Sequence, residues 1–109
     1  MTWLLRQGDV LAAADVAETF SERTRGLLGR STFEGALVLP RTRSVHTFGM
    51  RFPVDVAVCD RELVVVAVTM LRPWRMSVPR RGGRCVIEAR AGAFERWGLR
   101  VGDQLELRG

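Results

Sequence analysis

VDVAVCDRELVVVAVTM, residues 54–70, contains the clearest strand pattern of this chain. Its first part, Val54 to Asp60, alternates cleanly, with Val54, Val56 and Val58 on one face and Asp55, Ala57 and Cys59 on the other. Asp60-Arg61-Glu62 predicts a tight turn, and Leu63 to Met70 is almost uniformly apolar, as expected for a central strand covered on both sides. The stretch therefore predicts two short strands of a β-rich domain.

Short apolar segments on both sides of this stretch predict further strands. Gln7-Gly8-Asp9 separates two of them and predicts a hairpin turn between antiparallel strands. The predicted strands outside residues 54–70 are 3–6, 10–14, 36–39, 44–50, 85–90 and 104–107.

Two short helices are also predicted. Thr19 and Glu22 form a capping box, and that helix would run to about Leu28. Residues 92–97 predict a helical turn that ends at Gly98. About eight short strands and two short helices without βαβ alternation indicate an α+β fold, with a mostly antiparallel, barrel-like or half-closed sheet.

The length of 109 residues and the 47% hydrophobic content predict a single globular domain over residues 1–109. No apolar run approaches the roughly 20 residues that span a bilayer, and the N-terminus lacks the features of a signal peptide. These observations predict a cytoplasmic protein without a transmembrane segment. Cys59 and Cys85 lie in apolar stretches, which favours two buried free thiols, although a disulfide between neighbouring strands stays open.

The positive charge is concentrated in one part of the chain. The net charge is +5, all 17 basic residues are arginine, and residues 35–90 carry ten of them against four carboxylates. Within this part, residues 72–84 contain two prolines and a Gly82-Gly83 pair and therefore predict a long loop. Its candidate anion-binding residues are Arg72, Trp74, Arg75, Arg80, Arg81 and Arg84.

Cationic groups beside an aromatic ring can follow a phosphate backbone and stack on a base, or contact an acidic protein or an anionic lipid surface. Nucleic acid is disfavoured here because the predicted strand faces are aliphatic. The alternative to a binding role is a solvated loop with Trp74 folded onto the core.

Four ordered motifs resemble the bacterial and archaeal family called domain of unknown function 192. They are ERTRGLL at 22–28, VHTFGMRFPVD at 45–55, VIEARAG at 86–92 and GLRVGD at 98–103. The similarity covers about residues 10–107 and implies a small β-rich fold with short helices, and it implies no established activity. Relatives often carry a secretion signal, whereas none is expected for this chain, and its Ala89-Arg90-Ala91 departs from the family pattern.

The motif at 45–55 contains the best candidate site. If its two predicted strands pair as a hairpin, His46 and Asp55 could approach each other as an acid–base pair or as ligand contacts. Alternatively, Asp55 is a structural acceptor that takes hydrogen bonds from the backbone or from an arginine, and an ion pair with Arg51 would belong to this structural role. The candidate ligand-binding residues, including one from the third motif, are His46, Thr47, Met50, Arg51, Asp55 and Glu88.

Other chemistries find little support in the sequence. It has no nucleophile elbow, phosphate loop, dinucleotide motif or metal-ligand spacing, so neither a metal nor a cofactor is expected. We therefore expect a non-catalytic binding or accessory module, a monomer or dimer, whose ligand is an anionic small molecule or an acidic protein segment. The alternatives are a hydrolase or transferase that uses His46 and Asp55, and a weak nucleic-acid binder that uses residues 72–84.

Overall fold

The computed structural model describes residues 1–18 and 34–109. The strands are β1 Thr2–Arg6, β2 Asp9–Val16, β3 Ala36–Pro40, β4 Val54–Cys59, β5 Val65–Leu71, β6 Cys85–Arg90 and β7 Leu105–Arg108. In this part of the chain the one helix is α1, Ala93–Trp97, which ends at Gly98 as predicted. The helix predicted over residues 19–28 lies outside the described residues.

All seven strands belong to one sheet, in the order β5-β4-β6-β3-β2-β1-β7. The β2–β3 pair is parallel, and the other pairs of neighbours are antiparallel. The hairpin predicted at Gln7-Gly8 is confirmed, and both residues have a positive φ, which a tight hairpin turn requires. The sheet curls until its two edges approach: the Val65 N–H donates to Asp103 O, and the Leu105 N–H donates to Leu63 O. The predicted mostly antiparallel, half-closed sheet is therefore confirmed as a curled half-barrel.

Apolar side chains cover both faces of the sheet. One cluster draws on every strand, and it includes Leu4, Ile87 and, from α1, Phe94, so it lies inside the curl. The second cluster draws on β3 to β6, and Met50 and Phe52 pack against it from the connection before β4. The alternation that defines β4 thus reflects a strand buried on both faces.

The strand predicted over residues 44–50 is wrong, because this segment is a loop with an isolated bridge between His46 and Met76. Gly49 has a φ of 83°, and the Met50 N–H donates back to Thr47 O, so the chain turns instead of extending. The sheet therefore contains seven strands within the described residues instead of eight.

The central position predicted for Leu63–Met70 is also wrong. β5 is an edge strand of the seven-stranded order, and Val66, Val68 and Met70 are exposed. A uniformly apolar sequence looks the same whether its second face is covered by protein or left open, so the periodicity could not reveal this.

Cys59 and Cys85 are not joined by a disulfide. They face each other on β4 and β6 as free, buried thiols, as predicted. In the part of the chain that the structure describes, no helix is long and apolar enough to cross a membrane.

Candidate functional site

Asp55 lies at the start of β4 and is buried. Its Oδ2 accepts hydrogen bonds from the backbone N–H groups of Gly92 and Phe94, both at 3.0 Å. A carboxylate at this position satisfies N–H groups that the first turn of α1 leaves free. The carboxylate therefore joins β4 to α1, in agreement with the structural alternative for this residue.

His46 makes its contacts elsewhere. It is exposed, its Nδ1 accepts the Phe48 N–H at 3.3 Å, and its ring stacks on the ring of Phe48 with centroids 4.9 Å apart. Among the described residues no hydrogen bond joins His46 to Asp55, and no ion pair joins Arg51 to Asp55. The expected 46–55 hairpin does not form, because residues 45–47 pair with residues 75–77, so the geometry gives the acid–base hypothesis no support.

Thr47 is the buried centre of this contact between the two loops. It is 0% exposed, and its hydroxyl donates to Arg72 O at 2.6 Å and accepts the Arg75 N–H at 2.8 Å. Its backbone N–H donates to Arg75 O, and its carbonyl accepts the Trp74 N–H at 2.9 Å. Thr47 therefore fixes the conformation of residues 72–75 instead of facing a ligand.

Ser77 makes similar contacts between the same two loops, with Val45 as its partner. Its buried hydroxyl accepts the Val45 N–H at 2.8 Å, and its own backbone N–H donates to Val45 O. Because Thr47 and Ser77 point inward, the residues that alternate with them point outward.

The outward side chains form an exposed apolar surface that has arginines beside it. We call the apolar side chains and these arginines together the aromatic–arginine surface. Its apolar members are Phe48, Trp74, Met76 and Val78, with the imidazole of His46 beside Phe48, and its arginines are Arg72, Arg75, Arg80 and Arg81. The Phe48 and Trp74 rings are stacked with centroids 6.2 Å apart, and the Trp74 and Val78 side chains are 64% and 74% exposed. In the described part of the chain none of these arginines has a carboxylate partner.

A groove of about 190 Å³ adjoins this surface. Met76, Val78 and Arg80 form one wall, and Val56 and Leu71 belong to the sheet face opposite. The groove can take an apolar side chain while a guanidinium stands at its edge.

The other predicted ligand contacts are placed differently. Met50 is part of the second apolar cluster and is buried, whereas Arg51 is exposed. Glu88 is 2% exposed, its β-ladder partners are Leu37 and Val56, and burial raises its pKa to about 7. Arg84 also lies apart from the aromatic–arginine surface, beside Cys85 at one end of the half-barrel.

Sequence reasoning missed Phe48, Met76 and Val78 as functional candidates. The signal was present as alternation: Phe48 lies two residues from His46, and Met76 and Val78 lie two and four residues from Trp74. What could not be read was the pairing of residues 45–47 with 75–77, which brings the two segments together. Within residues 1–18 and 34–109, no three His, Cys, Asp or Glu side chains are grouped as metal ligands.

Fold and surface together define a small half-barrel domain that carries an exposed aromatic and cationic face. The family model DUF192, described as Uncharacterized ACR, matches residues 3–107. The chain belongs to this family, which confirms the resemblance seen in the sequence.

Its relatives are archaeal proteins of the same uncharacterised group. The chain is 38% identical to a UPF0127 protein of Pyrococcus furiosus, over 83% of this chain and 82% of the relative. It is 36% identical to a UPF0127 protein of Pyrococcus abyssi, over 84% and 83% of the two chains. The fold matches a crystal structure of a Novosphingobium aromaticivorans protein of unknown function with a TM-score of 0.79, at 16% identity over 96% of this chain and 82% of that one.

Proposed function

We propose that this protein is a non-catalytic binding module and that its aromatic–arginine surface holds an acidic segment of a partner protein. The observation that carries the proposal is the exposed stack of Phe48 and Trp74 among arginines that have no carboxylate partner within the described residues. Large apolar side chains that stay in contact with water on a rigid frame favour an interaction surface over a core.

The composition of the surface favours a protein partner. Trp, Phe, Met and Arg are the residue types that protein–protein interfaces concentrate, and Trp and Arg dominate the binding energy of such interfaces. Met76 and Val78 are aliphatic, so they offer nothing to a nucleobase but pack well against apolar side chains of a peptide. The neighbouring groove supplies a place for one such side chain, and the arginines select carboxylates around it.

The backbone also indicates a surface that is held open. Trp74 has a φ of 65°, a conformation that is uncommon outside glycine and that recurs at functional sites. The backbone N–H of Trp74 donates to Thr47 O and stabilises this conformation, in which the Trp74 side chain is exposed.

The test is calorimetric titration with a synthetic peptide of alternating Glu and Leu, compared with the peptide in which every Glu is replaced by Gln. We expect the acidic peptide to bind and the neutral one to bind at least about tenfold more weakly, because charge-assisted hydrogen bonds are lost. The double variant F48S/W74S should lose binding, whereas V66S/V68S, which removes two exposed apolar side chains from β5 instead, should keep it. Equal binding by the two double variants would overturn the proposal.

Nucleic acid is the second candidate, since Trp74 is exposed beside several guanidinium groups. A Sinorhizobium meliloti protein whose assignment as a transcription regulator is itself provisional has the same fold, with a TM-score of 0.81 at 20% identity, over 96% of this chain and 90% of that one. Likeness at that identity supports the fold alone. Affinity for a single-stranded oligonucleotide that falls steeply with salt and disappears in W74S would favour this candidate over the acidic segment.

A further inference from the structure

The half-barrel has a second cavity, of about 700 Å³, at the end opposite α1. α1 sits beside the start of β4, where Asp55 pairs with Ala89, whereas the cavity lies where Cys59 pairs with Cys85. It is lined by the end of β3, by residues of the segments that follow β3 and β4, by the start of β6 and by Leu107 of β7. We call it the barrel mouth; it shares no residue with the aromatic–arginine surface.

The floor of the barrel mouth is apolar. Val38 and Cys85 belong to the cluster inside the curl, and Leu63 and Leu107 pack against that cluster. Burial raises the pKa of Cys85 to about 11, so at neutral pH its thiol is an uncharged part of this floor. An alkyl chain that lies on this floor leaves water, which stabilises the complex by about 25 cal/mol for each Å² of apolar area buried.

The rim of the barrel mouth is cationic. Its four exposed arginines are Arg41, Arg43, Arg61 and Arg84. The one carboxylate in the lining, Asp60, accepts the N–H groups of Glu62 and Val64 at 2.9 and 3.0 Å and so holds its own turn. No ion pair reaches the four arginines from the described residues.

The backbone around the mouth has a feature in common with the surface described above. Four non-glycine residues of the described chain have a positive φ, and that of Gln7 belongs to the β1–β2 hairpin turn. Of the others, Leu63 stands in the turn between β4 and β5, where its N–H donates to Asp60 O, and Arg41 lines the barrel mouth with a φ of 53°. Conformations of this kind recur where a fold holds a side chain at a ligand site.

We propose that the barrel mouth binds a single-chain amphiphile with an anionic head group. The apolar floor takes the alkyl chain and the arginine rim takes the carboxylate or phosphate of the head. A small inorganic anion would leave the floor empty, and an uncharged hydrocarbon would leave four guanidinium groups that have no carboxylate partner among residues 1–18 and 34–109. The volume falls within the range of about 300–1,000 Å³ that small-molecule sites occupy.

Calorimetry with dodecanoate and with dodecyl phosphate, each below its micelle concentration, tests this assignment. Dodecyltrimethylammonium, which has the same chain and the opposite charge, and acetate, which has the head without the chain, are the comparison ligands. We expect one-to-one binding of at least one anionic amphiphile and no binding of either comparison ligand. Preference between the two anionic probes distinguishes a fatty acid from a phosphate ester as the source of the head group.

Paired variants locate the site. R61Q/R84Q removes two charges from the rim, and R75Q/R80Q removes two from the aromatic–arginine surface; all four side chains are exposed, so both variants should fold. Binding should weaken about tenfold or more in R61Q/R84Q, because charge-assisted hydrogen bonds are lost, and stay unchanged in R75Q/R80Q. In amide NMR spectra the signals of Leu63 and Cys85 should shift on titration.

Three results would overturn the assignment of the barrel mouth. They are failure of the wild type to bind either anionic probe, equal affinity of R61Q/R84Q and the wild type, and equal binding of the cationic amphiphile. None of them bears on the acidic-segment proposal, since that proposal depends on F48S/W74S.

Discussion

At the scale of single residues, buried polar side chains in this protein have structural roles that their sequence positions do not reveal. Thr47 and Asp55 stand in a motif that the sequence marks as a candidate site, yet both are buried and bonded to backbone N–H groups. Glu88 is buried as well, and in its case burial raises the pKa of the carboxyl group to about 7. These three residues can be tested one at a time because each has a conservative replacement.

Glu88 makes stability depend on pH in a definite direction. Its pKa rises from 4.5 to about 7 on folding, so the protonated form favours the folded state. This contribution is complete below pH 4.5 and is lost as the pH rises to about 7, at a cost of about 3 kcal/mol. E88Q should therefore be more stable than the wild type at pH 8 and should flatten the decline between those two pH values.

Urea unfolding of the wild type and E88Q across pH 4 to 8 measures this difference, and the exposed E62Q serves as the control. Parallel profiles for wild type and E88Q would mean that Glu88 does not titrate in this range.

Replacement of Thr47 by Val keeps its shape and removes its hydroxyl. The Arg75 N–H and the Arg72 carbonyl then lose a partner, which should lower the free energy of unfolding by about 1–3 kcal/mol. T47S keeps the hydroxyl and should lose less than T47V. Denaturation midpoints that do not separate the Val and Ser variants would contradict the role assigned to the hydroxyl.

At the scale of elements, α1 is a helix of five residues that cannot be stable alone. Packing of Phe94 into the inner cluster and the Asp55 carboxylate hold it in place. Gly92 precedes the helix and has no side chain that could cap it, so the cap comes from Asp55 on β4. The sequence predicts this helix from its glycine-bounded apolar residues, but the capping residue lies 37 positions away from Gly92 and gives no local signal.

D55A should therefore loosen α1 selectively. Two backbone N–H groups lose their acceptor, at a cost of about 2 kcal/mol or more. Hydrogen exchange at Gly92 and Phe94 should accelerate more than exchange at the centre of β6. The control is D15A on an exposed site of β2, and unchanged exchange at Gly92 and Phe94 in D55A would show that the carboxylate does not hold the helix.

At the scale of the whole molecule, the predictable and the unpredictable parts separate by the range of the interactions involved. The β1–β2 hairpin, the alternation of β4 and the end of α1 at Gly98 depend on local chemistry and were predicted. Two features depend on contacts between segments that are distant in sequence, and no local pattern predicts such contacts. They are the edge position of β5 and the pairing of residues 45–47 with 75–77. The aromatic–arginine surface results from that pairing, so the sequence supplied its arginines and Trp74 but not Phe48, Met76 and Val78 as their neighbours.

The aromatic–arginine surface is proposed to select acidic segments of proteins. Selection from a random displayed peptide library on the immobilised wild-type protein, with F48S/W74S as the counter-selection, tests it without a presumed ligand. We predict that peptides retained by the wild type alone are enriched in Asp and Glu beside a large apolar residue and lose affinity at high salt. Retained peptides without acidic enrichment, or recovery of the same peptides on F48S/W74S, would contradict the claim.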